Sequence, residues 1–175
     1  KKQTDELGKL DDASEEEKQE LNHTIGLGAL KYYILKVDPI KRMLFNPAES
    51  IDMQGNTGPF IQYAHARIKS LLRKSDIKLS TSINTNLNIN GNEKELIKLI
   101  NDYPTIIAEA GKNHSPALIA NFTYDLVKHF NSFYQSTGIL NEENADLKEL
   151  RLIISKEIGK IIKSSMKLLG INVPE

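Results

Sequence analysis

Lys156, Lys160, Lys163 and Lys167 recur at steps of three and four residues. On a helix these ammonium groups fall within about 60° of one another. A row of cations on one face can neutralise the phosphates of a polyanion, and binding by that route weakens as salt rises. A second constellation mixes rings with cations: Tyr63, His65, Arg67, Lys69 and Arg73 share one short stretch, while Tyr124, His129 and Tyr134 share another. Aromatic faces beside positive charge suit the unstacked bases of single-stranded RNA. Each pattern also has a plainer reading, the lysines as a solvated helix face and the rings as the edge of a core.

Other kinds of chemistry find no residues in a suitable pattern. The four histidines, His23, His65, His114 and His129, show no metal-ligand spacing. No serine sits in a Gly-x-Ser-x-Gly elbow, and there is no Gly-x-x-x-x-Gly-Lys-Ser/Thr phosphate loop. The segment Gly26-Leu27-Gly28-Ala29 lacks the third glycine and the preceding strand of a dinucleotide loop. It reads instead as close helix packing. Cysteine is absent, which removes disulfides, thiolate catalysis and most structural zinc sites. No catalytic and no metal-binding residue is assigned, and no cofactor is expected in this chain.

The elements that must position these side chains are helices. Ser14-Glu15-Glu16-Glu17 has capping-box spacing and predicts a helix to about Lys36, ended by Asp38-Pro39. Residues 38–58 read as irregular, and Pro59 opens a helix to about Arg73. Phe60, Ile61, Ala64, Ile68, Leu71 and Leu72 share its apolar face, Gln62, Lys69 and Arg73 lie along another, and Tyr63 sits with Arg67 at a third edge. In residues 75–92 the apolar positions Ile77, Leu79, Ile83, Leu87 and Ile89 are all odd, which permits a short hairpin as readily as a long surface loop.

Beyond that segment, a helix from Glu93 to Asn101 is expected to break at Tyr103-Pro104 and resume at Thr105. The next is capped at Ser115-Pro116 and runs to about Gln135, burying Leu118, Ile119, Phe122, Leu126, Val127, Phe130 and Phe133. The last runs from Asn144 to Leu169 and stops at Gly170, with Ile154, Ile158, Ile161, Ile162, Leu168 and Leu169 facing the core. The predicted fold class is all-α, an antiparallel helical bundle with a non-helical entry segment.

Composition agrees with a water-exposed globular fold. The 175 residues suffice for one well-buried core, and 39% hydrophobic with 26% charged residues is an ordinary proportion. The 23 basic and 23 acidic residues cancel, so a nucleic-acid surface must come from segregation of charge. No apolar run approaches the roughly 20 residues that span a bilayer, and the polar start at Lys1 has no apolar signal region. A cytoplasmic protein with no membrane partner is expected.

The run Ile25-Gly26-Leu27-Gly28-Ala29-Leu30-Lys31-Tyr32-Tyr33, then Phe45-Asn46-Pro47, then Gly55 through Ile68 (Gly-Asn-Thr-Gly-Pro-Phe-Ile-Gln-Tyr-Ala-His-Ala-Arg-Ile), resembles the class I arginyl-tRNA synthetases. The resemblance continues through Tyr103-Pro104, Tyr124-Asp125-Leu126, Phe130-Asn131-Ser132-Phe133-Tyr134 and the ending Leu168 to Glu175. It spans about residues 5–175, and the ordered succession is more specific than any single motif. Phe122 and Val127 depart from the family's usual tyrosine and alanine, and the Arg-Met pair that commonly follows Pro-Glu is absent.

The resemblance implies that residues 1–58 are the tail of the catalytic core and a connecting segment, and that 59–175 form the helical anticodon-binding domain. It implies arginine tRNA as the partner, without DNA, and a monomer. ATP and Mg serve the parent arginine–tRNA ligase, whose His-x-Gly-His and Lys-Met-Ser-Lys motifs do not occur here. Gln62, Tyr63, Arg67 and Tyr134 match family positions on the anticodon-facing side, and Lys69, Arg73, Lys156, Lys160, Lys163 and Lys167 supply cations for the phosphates. A helical protein-interaction bundle without nucleic-acid binding is the competing expectation.

Overall fold

In the computed structural model, which describes residues 14–75, 84 and 86–174, every long helix but one starts on a side chain that accepts from its orphan amides. Residues 1–13 and the apolar positions Ile77, Leu79 and Ile83 lie outside the described residues. Helix α1 (Glu15–Leu35) opens with the expected reciprocal capping box, Ser14 Oγ accepting from Glu17 N at 3.2 Å and Glu17 Oε2 from Ser14 N at 2.8 Å. A one-turn helix, α2 (Pro47–Ser50), interrupts the segment expected to be irregular. Its cause is local: Asn46 Oδ1 accepts from Ala48 N and Glu49 N, and Pro47 sits at the first turn, where its missing N–H costs nothing.

Helix α3 (Gly58–Arg73) is capped by Thr57, and α4 (Gly91–Asn113) by a second capping box between Asn90 and Glu93. Helix α4 does not break at Tyr103-Pro104. Pro104 lies inside it on the exposed side, where water can satisfy the carbonyl its ring deprives of a partner. On the neighbouring face Tyr103 stacks on Phe122 at 5.9 Å and donates to Ser164 Oγ at 2.9 Å, so packing holds the helix through the proline.

Helix α5 (Pro116–Ser136) follows after His114, a left-handed residue with φ 49°. Ser115 occupies the cap position but makes no side-chain cap bond, contrary to its expected role. Its backbone carbonyl takes the amide instead, accepting from Leu118 N at 3.3 Å. Helix α6 (Ala145–Leu168) starts on Asn144 and ends at Gly170, whose φ of 68° turns the chain so that Ile171 N reaches Met166 O at 2.8 Å. Leu87 and Ile89 lie in irregular chain and pack against the core, with no strand there among the described residues.

Helices α3, α4, α5 and α6 form the bundle, and α1 lies across α3 and α5. Its centre is Ile61, Ile68, Leu96, Leu126, Phe130, Phe133, Leu152, Ile158 and Ile162, all of them buried. Burying each such side chain contributes roughly 1.5–3 kcal/mol before entropy is counted. Leu168, expected in this core, is 57% exposed, because α6 turns it outward beside the lysine row. Gly28 and Gly58 bring α1 against the first turn of α3. A Cβ on Gly58 would come within 2.6 Å of the Gly28 carbonyl oxygen, so the predicted close packing holds at Gly28; at Gly26 nothing lies near.

One ionic cluster sits inside the bundle. Glu93 is buried, accepts from Asn90 N at 2.7 Å through Oε2, and accepts from Arg151 Nε at 2.6 Å through Oε1. Arg151 also pairs with Glu142, whose carboxyl is held below the usual range chiefly by the Asn144 amide, with Arg151 adding to it. Because that folded-state value is depressed, the stabilisation exists above the ordinary carboxylate range and disappears as pH falls through the lowered value. Arg151→Ala, which strands the Glu93 carboxylate, should cost about 3–5 kcal/mol. The paired replacement Glu93→Leu/Arg151→Met should cost less, and urea denaturation of the two variants checks the order.

Candidate nucleic-acid interface

Tyr63 and Arg67 stand one turn apart on α3, and Asn131 and Tyr134 stand three residues apart on α5, so each pair shares a helix face. Where α3 and α5 pack, these faces meet. The Arg67 guanidinium carbon lies 4.6 Å from the Tyr63 ring centroid and 5.2 Å from that of Tyr134. Arg67 Nη1 donates to Asn131 Oδ1 at 2.7 Å. One cation is thus shared by two rings and fixed by an amide. Each ring contact contributes about 0.5–1 kcal/mol when exposed and more when desolvated.

Tyr63 and Arg67 are half-buried, whereas Tyr134 is 37% exposed and is backed by Phe130 at 6.0 Å. Phe60 and Tyr124, also from α3 and α5, meet at 5.5 Å, and Lys128 Nζ lies 5.5 Å over the Tyr124 ring. The α3–α5 seam therefore carries a second ring–cation pair.

The other predicted cations lie farther along α3 and on α6. Lys69 is half-buried on α3, and Arg73 is exposed in its last turn, where a cation suits the helix dipole. Lys156, Lys160, Lys163 and Lys167 are all exposed along α6, as the periodicity requires. Lys160 pairs with Glu157 at 2.7 Å, an exposed contact that offsets part of the row's charge.

Gln62, expected on an exposed face, is buried. It is 2% exposed, and its Nε2 donates to Asn172 O at 2.8 Å and to Thr24 O at 3.2 Å. The chain after Gly170 folds back over α3 and covers a face that helical periodicity alone counts as polar surface, so no direct RNA contact is open to Gln62. His65 is buried on the same side, its Nδ1 2.7 Å from Pro174 O. Asn56 is likewise engaged, with Oδ1 2.7 Å from the Tyr32 hydroxyl and Nδ2 donating to Asn121 Oδ1. That hydroxyl also reaches Ala120 O, and burial pushes its pKa far above the ordinary tyrosine value.

Asn131 and Lys128 do not stand out by residue type alone. Asn131 carries a usable signal, its place three residues before Tyr134. Lys128 carries the same kind, four residues after Tyr124.

A bundle built of helices alone, with a tyrosine–arginine–tyrosine cluster across two of them, defines the class as an all-α domain. The model of the DALR anticodon binding domain family matches residues 61–175, and the chain belongs to that family. It is 59% identical over 174 residues to the arginine–tRNA ligase of Flavobacterium psychrophilum, covering 99% of this chain and 29% of that protein. It is 54% identical over 173 residues to the corresponding ligase of Parabacteroides distasonis, covering 97% of this chain and 29% of the relative. The solved Thermus thermophilus arginyl-tRNA synthetase superposes with a TM-score of 0.86 at 28% identity, over 96% of this chain and 29% of that one. The chain thus spans under a third of the length of the curated relatives it matches. Over that part it is homologous to arginyl-tRNA synthetases.

Because Gln62 ties α1 and the last residues to α3, Gln62→Ala should lower stability by about 1–3 kcal/mol. Hydrogen exchange should quicken at residues 171–173 before the α5 core responds. Unchanged exchange there would show that the tail is held by other contacts.

Proposed function

We propose that this chain is the tRNA-binding part of an arginine–tRNA ligase, and that it grips the anticodon stem and loop of an arginine tRNA through the α3–α5 seam. The observation that carries this reading is Arg67 held between Tyr63 and Tyr134, in a chain of the DALR anticodon binding domain family. Rings fixed beside a cation are preorganised for an unstacked base, so little side-chain entropy remains to be lost on binding. Arg73, Lys69 and the α6 lysines would act on phosphates at longer range. In this reading residues 1–58 belong to the tail of the catalytic core and its connecting segment, and 59–175 to the anticodon-binding domain. Joining arginine to its tRNA, with ATP and Mg, falls to the remainder of the ligase, a monomer of the cytoplasm. Among the described residues no helix is long and apolar enough to cross a membrane.

A second reading has its own observation. Leu27, Leu30 and Ile34 stand one above another on α1 and are 40%, 41% and 48% exposed. An apolar stripe of this kind favours a protein neighbour, so α1 would serve as the face of a helical interaction bundle.

Tyr63→Ala and Tyr134→Ala should each weaken tRNA binding about 5- to 150-fold, from a stacking energy of roughly 1–3 kcal/mol per base. Filter binding with an arginine tRNA transcript measures this, with circular dichroism melts to separate a stacking defect from a folding defect. Replacing Lys156, Lys160, Lys163 and Lys167 by glutamine, one at a time, should reduce the log–log salt slope by about 0.7–0.9 for every phosphate that is no longer neutralised. Wild-type affinity in both tyrosine variants would sink the anticodon assignment and leave the interaction-bundle reading standing.

A further inference from the structure

Arg67 is held on three sides, and the three holders differ in what they do to its charge. The Tyr63 and Tyr134 rings attract the guanidinium through their quadrupoles and leave its net charge intact. The third holder fixes the geometry, and a carboxylate there would make the stronger hydrogen bond. The residue present is Asn131, a neutral amide, accepting from Nη1 at 2.7 Å. Among the described residues no carboxylate forms an ion pair with Arg67. The bond to Asn131 occupies one N–H of a group that has several to offer.

We infer that Asn131 is a positioning residue for RNA: its amide oxygen fixes Arg67 between the two tyrosines while leaving the guanidinium's positive charge free to act on a nucleotide phosphate. The inference rests on the anticodon reading above and adds to it a division of labour. The rings hold a base, Arg67 meets the phosphate, and Asn131 sets the distance between them without cancelling the charge. An aspartate in its place would preserve the geometry and offset the guanidinium's charge with its own, which makes the two contributions separable.

The test measures fluorescence anisotropy of a labelled anticodon stem-loop transcript of an arginine tRNA against the 175-residue chain, at several salt concentrations. Asn131→Asp should melt at or above the wild-type temperature, bind about 3- to 10-fold more weakly at low salt, and show a salt slope smaller by about 0.7–0.9. Asn131→Ala should also bind more weakly but keep the wild-type slope, because the charge remains and only its tether is gone. Should the aspartate variant fail to fold, Arg67→Gln takes its place and should reproduce the reduced slope. A wild-type slope in both charge-cancelling variants, or an equal drop in slope for Asn131→Ala, overturns the inference. If Tyr63→Ala still weakens binding in that case, the anticodon reading survives it; if neither tyrosine matters, both fall together.

Discussion

The crossing of α1 over the first turn of α3 sets the distances on which the rest of the molecule depends. Gly28 and Gly58 let the two backbones touch, and a Cβ on either would press into the other element. At Gly28 the displaced atoms would be those of the Gln62 amide, which fills the space a methyl would take. That approach lets Tyr32 sink into the core with its hydroxyl on Ala120 O, joining α1 to α5. It also brings Lys36 Nζ to Asn56 O and Asn121 Nδ2 to Lys36 O, so the end of α1 is bonded to both the loop before α3 and the start of α5. The relative placement of α3 and α5, and hence of Tyr63 and Tyr134, is fixed from this end of the bundle.

At the seam itself the choice of arginine has physical content. A guanidinium is planar and weakly hydrated, so it can lie between two rings and still offer N–H groups at its edge. A lysine ammonium would approach one ring at a time and retain its water. Lys128 over Tyr124 shows that simpler arrangement on the same seam. Partial burial strengthens the electrostatics of the Arg67 cluster, because fewer water molecules screen it than screen the lysines of α6.

Helix existence was legible in local chemistry, because the Ser14–Glu17 spacing marks a capping box and the apolar period of α3 and α5 is strong; the caps at Asn90 and Asn144 emerge only from the structure. Tyr63 and Arg67 fall together by periodicity alone. Their meeting with Tyr134 depends on packing between helices, which period cannot supply; the family resemblance pointed to it. Pro104 misled for a definite reason. The rule that proline ends a helix weighs one missing hydrogen bond, whereas Ile100, Tyr103 and Ile107 anchor both sides of that turn in the core. Gln62 misled for another, since its covering comes from a residue 110 positions away in the chain. Leu168 reversed the error, an apolar residue that the helix presents to water.

That tail has a consequence for how the molecule is assembled in time. Gln62 and His65 find their carbonyl partners in Asn172 and Pro174, separated from them by 110 and 109 residues. Contacts of such separation form late, because the intervening loop must be closed before they stabilise anything. A ribosome delivers α3 long before α6, so α3 waits with part of its buried polar side uncovered. Until those last residues are made, the Gln62 and His65 side chains on α3 lack these two carbonyl partners.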